Sequence, residues 1–191
     1  MKRVISLFCV VLLAALCLTG CGKGKKYTAV ISIKDYGDIT VELDEDEAPI
    51  TVANFVKLAE EGFYDGLTFH RIISGFMIQG GDPQGDGFGG SKEKIKGEFS
   101  ANGVKNEISH TRGTISMARN SISMDSASSQ FFIMQADNTQ LDGQYAAFGH
   151  VTSGIEIVDR ICENTPVEDI DGTVLKENQP VITSITITEG K

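Results

Sequence analysis

Positions 69–82 read Phe-His-Arg-Ile-Ile-Ser-Gly-Phe-Met-Ile-Gln-Gly-Gly-Asp, which sets one arginine, a Phe-Met pair and an amide within a few residues of each other. Arg71 cannot discharge and is costly to bury unpaired, so among apolar neighbours it either points to solvent or addresses something polar in a pocket. Strand-forming residues flank Ser74-Gly75, and Gly80 and Gly81 permit sharp bends or close backbone approach. The pattern predicts a two-strand ribbon that presents side chains to a groove. Any one of the apolar residues, taken alone, reads better as core, and it is Arg71 that shifts the reading. Because neighbours in a strand point to opposite faces, His70 is expected to be packed and hydrogen-bonded on the face away from Arg71.

Other chemistries lack their parts. His70, His110 and His150 are far apart and come without cysteines or a spaced carboxylate pattern, so no zinc or other metal site is expected. No Gly-x-Ser-x-Gly elbow occurs, and the serines between 121 and 129 have no adjacent histidine to activate them. Gly85-Asp86-Gly87-Phe88-Gly89-Gly90 matches the GxGxxG spacing of nucleotide sites. No helix start follows it, however, and Asp82 and Asp86 would repel a phosphate, so a nucleotide reading is rejected. What remains is a set of apolar, aromatic and hydrogen-bonding side chains with no acid, base or nucleophile. Such a set suits a reaction in which no bond breaks and no cofactor is used.

The elements that must position these residues are short. Ala29, Ile31 and Ile33, then Ile39, Val41 and Leu43, alternate around Asp35-Tyr36-Gly37-Asp38, which predicts a hairpin. Pro49 is placed to open a helix, and Val52, Phe55, Val56 and Ala59 share one face of it before Gly62. Residues 114–118, 130–134 and 146–151 read as strands. Ser153-Gly154-Ile155-Glu156 matches a capping box ahead of a second helix bearing Ile155, Val158, Ile161 and Cys162. Residues 181–188 alternate strictly and close the chain as a strand. With 21 glycines and 4 prolines in 191 residues, many short strands and two helices, an antiparallel barrel closed by helices is predicted, with a sandwich as the alternative.

Residues 1–20 have the form of an export signal. Lys2 and Arg3 precede an apolar run from Val4 to Leu18, too short for a membrane span, and Leu18-Thr19-Gly20-Cys21 follows. That ending resembles the bacterial lipobox, in which the cysteine becomes the lipidated first residue. Cys21 is therefore the expected lipidation site, residues 21–27 a tether and 28–189 the folded domain, held at the extracytoplasmic face of the cell membrane. Cys9 and Cys17 leave with the signal, so Cys162 is a lone thiol expected to be packing rather than a nucleophile. Losing Lys2 and Arg3 leaves 15 basic against 26 acidic residues, a formal charge of −11. Nucleic acid is not an expected partner. Lys23, Lys25 and Lys26 suit an anionic membrane surface, and at roughly 3.5 Å per residue the tether keeps the domain within about 20 Å of it.

Four ordered motifs resemble those of the cyclophilins, which are peptidyl-prolyl cis-trans isomerases (EC 5.2.1.8). They are residues 69–82, Gly-Thr-Ile-Ser-Met-Ala-Arg at 113–119, Ser-Ala-Ser-Ser-Gln-Phe-Phe-Ile at 126–133, and Leu-Asp-Gly with Phe-Gly-His-Val at 141–151; the similarity spans about 28–189. The resemblance implies a mainly β fold, a closed eight-stranded antiparallel β-barrel capped by two α-helices, with the active groove on its outside. It implies Arg71 as the catalytic cation and Phe76, Met77, Phe132 and Leu141 as the proline pocket. Gln79 and Gln130 would bind the substrate backbone or orient the arginine, and Ala118 and Arg119 would offer main-chain contacts to the residue before proline. The implied partners are proline-containing polypeptides, met by a monomer. Two positions depart from the pattern of many members. Gln140 stands where a tryptophan contacts cyclosporin, so weak inhibition is expected, and Tyr145 stands where a groove histidine is common.

Overall fold

The computed structural model describes residues 26–190; the export signal, Cys21 and nearly all of the tether lie outside them. Alternation in the sequence becomes an eight-stranded antiparallel sheet. Its strands are β1 (Lys26–Ile33), β2 (Gly37–Asp44), β3 (Thr68–Ile73), β4 (Met77–Asp82), β5 (Thr114–Met117), β6 (Phe131–Met134), β7 (Ala147–Ser153) and β8 (Ile182–Glu189). They lie in the order β3-β4-β6-β5-β7-β2-β1-β8. Helix α1 spans Pro49–Glu60 and α2 spans Ile155–Asn164.

The expected closed barrel does not form; the sheet is a curled half-barrel with two edges. The outer edge of β3 is taken by another segment: Ile72 N donates to Gly172 O at 2.8 Å and Val174 N to His70 O at 3.0 Å. Backbone groups already paired there cannot pair with β8. The edges approach only where the start of β3 meets the residues that lead into β8, at an isolated bridge between Thr68 and Val181 flanked by Phe69 N donating to Pro180 O (3.0 Å) and Ile182 N to Leu67 O (2.8 Å).

The core lies on the inner face of the sheet under α1. Val52, Phe55, Val56 and Ala59 are all buried, as their spacing predicts, and the Phe55 ring lies 5.5 Å from Phe131 and 5.2 Å from Phe148. Pro49 fills the first position of α1, and the buried Glu98 carboxylate accepts from Ile50 N (3.0 Å), Thr51 N (2.8 Å) and Thr51 Oγ1 (2.7 Å). A carboxylate brought from 47 residues away thus satisfies the orphan amides of the first turn.

Two expectations from local pattern fail for local reasons. No capping box opens α2: Ser153 stays in β7, and the cap position is Gly154 at φ +86° with no side-chain bond. In β8, Ile182 and Ile185 are both buried although strict alternation puts them on opposite faces. A bulge in β8 opposite Ser32/Ile33, with Thr183 as the extra residue, restores both to the core. Cys162 is half-buried against the core, and burial pushes its thiol up to about 12, where it is inert as a nucleophile.

Candidate active site

Strand β6 carries Phe-Phe-Ile-Met, and its alternation sends Phe131 and Ile133 into the core and Phe132 and Met134 to the outer face. On that face Met77 of β4 pairs across from Met134, and Gln79 across from Phe132. Met77, Phe132 and Met134 form a second buried apolar cluster, against which Phe76, Ala118, Leu141 and Tyr145 pack half-buried. Between these side chains lies an open cavity of about 460 Å³.

Nine of the ten groove residues expected from the sequence line this cavity: Arg71, Phe76, Met77, Gln79, Ala118, Arg119, Phe132, Leu141 and Tyr145. The tenth, Gln130, sits just behind. Arg71 Nη1 donates to Gln79 Oε1 at 3.2 Å, Gln79 Nε2 to Gln130 Oε1 at 2.9 Å, and Gln130 Nε2 to the carbonyls of Gly87 (3.0 Å) and Gly89 (2.8 Å). Each amide has its orientation fixed by the next, so the Gln79 oxygen is held toward the guanidinium. Arg71 Nε donates to Asp171 O at 2.8 Å. The fork is thus anchored on one edge and along one arm, while Nη2 has no protein partner among the described residues.

The segment that receives Nε had no periodic signal in the sequence beyond the turn-forming Asp171-Gly172 pair. Gly172 is at φ +81°, and a Cβ there would collide with the Ile72 carbonyl, so only glycine lets this turn lie against β3. Asp171, Thr173 and Val174 complete one wall of the cavity.

His70 departs from expectation. Phe69 pairs with Gly80 and Arg71 with Gln79, so His70 is the additional residue of a β-bulge. The bulge turns His70 to the groove side with Arg71, while Phe69 and Ile72 face the core. The ring is buried beneath Gly87, and neither nitrogen has a hydrogen-bond partner among the described residues. Burial lowers its pKa, against the pull of Asp82 and Asp86 and with the help of Arg71.

The glycine-rich loop shows why its motif is not a phosphate cradle. Asp82, buried, accepts from the amides of Gln84 (2.9 Å), Asp86 (3.2 Å), Gly87 (2.7 Å) and Gly89 (3.2 Å). The donors a phosphate would need are spent on an internal carboxylate. Burial opposes its ionisation, yet these four bonds hold the carboxyl below the usual range.

The far rim rests on polar supports. His110, buried, stacks on Phe132 at 6.0 Å, with Nδ1 2.9 Å from Asp142 Oδ1 and Nε2 3.1 Å from Ser116 Oγ. Burial lowers the His110 pKa and the Asp142 carboxylate opposes this. The Arg119 guanidinium lies 4.9 Å from the centre of the Tyr145 ring and 5.3 Å from that of Phe99, and its Nε donates to Gln144 O at 2.9 Å. Tyr145 in turn meets Phe132 edge-on at 5.7 Å. Gln140 is exposed and accepts, through its carbonyl, from Gln144 Nε2 at 2.7 Å. The sequence did not point to His110 and Asp142 as supports, because they do not line the cavity and reach it only through the rings of Phe132 and Tyr145.

A half-barrel with an external apolar groove, two anchored arginines and no activated nucleophile among the described residues has the chemistry to bind and polarise a ligand. The comparisons with known proteins give that class its family. The model of the cyclophilin type peptidyl-prolyl cis-trans isomerases matches residues 28–189, and the chain belongs to this family. It is 44% identical over 146 residues to a peptidyl-prolyl cis-trans isomerase of Helicobacter pylori strain J99, covering 75% of this chain and 86% of that one. To peptidyl-prolyl cis-trans isomerase B of Bacillus subtilis it is 43% identical over 143 residues, covering 75% and 96%. Among solved structures, a Cryptosporidium parvum cyclophilin type isomerase, crystallised in the presence of the dipeptide Ala-Pro, superposes with a TM-score of 0.74 at 32% identity. The alignment covers 85% of this chain and 99% of that one. The protein is a cyclophilin-type peptidyl-prolyl cis-trans isomerase.

Proposed function

We propose that the groove between Arg71 and the Phe132 cluster is where the Xaa-Pro bond is turned. The observation that carries this reading is the Arg71 guanidinium, anchored on Asp171 O and Gln79 Oε1 beside the apolar pocket, whereas the Arg119 guanidinium on the same cavity lies over the rings of Phe99 and Tyr145. The proline ring enters among Phe76, Met77, Phe132 and Leu141. Ala118 and Arg119 meet the backbone of the preceding residue, and Tyr145 closes the rim. Resonance gives the peptide C–N bond a rotational barrier of roughly 20 kcal/mol. As the bond twists, the prolyl nitrogen loses conjugation, pyramidalises and becomes an acceptor. A donor from Arg71 that strengthens only at this geometry lowers the barrier without tightening the ground state. Gln79, held by Gln130, keeps the donor in place, and no proton need leave the protein.

Lipid on Cys21 would place this activity at the extracytoplasmic face of the cell membrane, acting on exported chains as they fold. The lipobox and the basic residues beside it support that setting. Metabolic labelling with a fatty-acid probe tests it: label on the wild type and none on Cys21→Ser is expected, and equal label on both contradicts it.

A protease-coupled assay on a short Ala-Pro peptide tests the catalytic reading. Arg71→Ala should lower kcat/KM by about 10²–10³-fold, the usual loss for one transition-state donor, with the fold intact by circular dichroism. A variant as fast as the wild type sinks the assignment of Arg71.

A further inference from the structure

The described residues expose seven large apolar side chains, and six of them sit on the loops bordering the groove. These are Phe88 on the glycine-rich loop, Ile122 and Met124 on the next, and Val167, Ile170 and Leu175 beside the Asp171 turn. Only Ile50, at the start of α1, lies elsewhere. Three are almost wholly in water: Phe88 at 92%, Ile122 at 95% and Ile170 at 96% exposure. Single exposed apolar residues are common, but a set gathered around one site marks an interaction surface.

The loops hold these side chains out on bonded turns. Phe88 N donates to Asp86 Oδ1 at 2.9 Å, and Ile122 N to Asn120 Oδ1 at 3.1 Å. Ile170 lies in a turn closed by Thr173 N donating to Asp169 Oδ1 at 3.0 Å. The surface is also continuous with the groove. A second cavity of about 380 Å³ shares Gln79, Gly87, Ala118 and Arg119 with the first and is bordered by Phe88 and Asn120. Ile170 adjoins Asp171, which lines the first cavity but not the second. An extended chain laid through both cavities would pass Ile170 at one end and Phe88 and Ile122 at the other.

We propose that these loops form an apolar rim that receives bulky apolar side chains on either side of the Xaa-Pro pair, so that the domain selects non-native polypeptide over folded protein. The proposal rests on the reading of the groove given above. Folded proteins bury such side chains, whereas unfolded chains present them near proline in extended form. The occupant is therefore the flanking sequence of the substrate itself.

Binding and turnover separate the two readings. Fluorescence anisotropy would compare two labelled octapeptides with a central Ala-Pro, one flanked by leucines and one by serines. The wild type should bind the leucine peptide at least about tenfold more tightly, and a Phe88→Ser/Ile122→Ser/Ile170→Ser variant should lose that preference, as expected for removing one or two side-chain burials. An Ala-Pro tetrapeptide, too short to reach the rim, should be isomerised by this variant at the wild-type rate, which also shows that it folds. Equal binding of both octapeptides by the wild type, or an undiminished preference in the variant, overturns the rim. A concentration-dependent dimer that the substitutions abolish also overturns it, since the occupant would then be a second copy. A wild type inert on the tetrapeptide overturns the reading of the groove instead, and the anisotropy result still decides the rim.

Discussion

The two faces of β6 carry nearly the same chemistry and come to opposite ends. On the inner face Phe131 meets Phe55, Tyr64 and Phe69 edge-on at 5.5, 5.6 and 6.0 Å. Each of these four rings is fully buried. On the outer face Phe132 meets only His110 and Tyr145 as ring partners, while Phe76, Leu141 and Tyr145 stay half-buried around a cavity. Neither α1 nor α2 contributes a residue to that cluster. Polar groups prop its rings apart: His110 fixed by Asp142 and Ser116, and Tyr145 fixed by Arg119. Apolar side chains make a core where another layer closes over them, and a binding site where polar supports hold them open.

Substitution on each face should separate the two roles. Phe131→Ala removes a ring that cannot be replaced by collapse and should cost about 3–5 kcal/mol of stability, with activity per folded molecule little changed. Phe132→Ala should cost less in unfolding by urea but lower kcat/KM on a short Ala-Pro peptide by roughly 30-fold, equivalent to about 2 kcal/mol of lost transition-state binding. If the two variants lose stability and activity in parallel, the contrast fails.

A smaller effect is expected in the loop that backs the groove. Asp82→Ala leaves four amides without their acceptor and should cost about 1–3 kcal/mol. It should also slow turnover, because Gln130 is held by the carbonyls of Gly87 and Gly89. Unchanged stability would mean that the loop finds other partners.

The least effect is in the pH response. His70 and His110 both have folded pKa values below the ordinary 6.5. As pH falls through about 6.5 the unfolded chain takes up protons first, so the stability held above that pH is lost progressively toward the lower folded values. Asp82 and Asp142 are also depressed, so their contribution is lost in a second, more acidic window below 3.8. Urea midpoints should fall from pH 7 to pH 5, and His110→Asn should flatten that fall. An unaltered slope would place the titration elsewhere.

Much of this was legible in the residues, and the exceptions share a cause. The hairpin and both helices follow from periodicity. The nine groove-lining positions came with the family resemblance that the four motifs carry. Bulges are different: an extra residue at His70, or at Thr183 of β8 opposite Ser32/Ile33, shifts the phase of a strand without altering its composition. Closure was misjudged because it depends on which chain bonds the edge of β3. The segment at 172–174 does so through backbone atoms that every residue carries. Asp171 enters the site through its carbonyl for the same reason.

The central claim, that the outer cluster and not the inner one meets the substrate, is tested most directly by methyl NMR during titration with a short Ala-Pro peptide. Met77 and Met134 resonances should shift and broaden as the peptide exchanges between its isomers, while Ile115 and Ile133, in the core beneath them, stay in place. Shifts confined to the core isoleucines, or none at Met77 at saturating peptide, would contradict it.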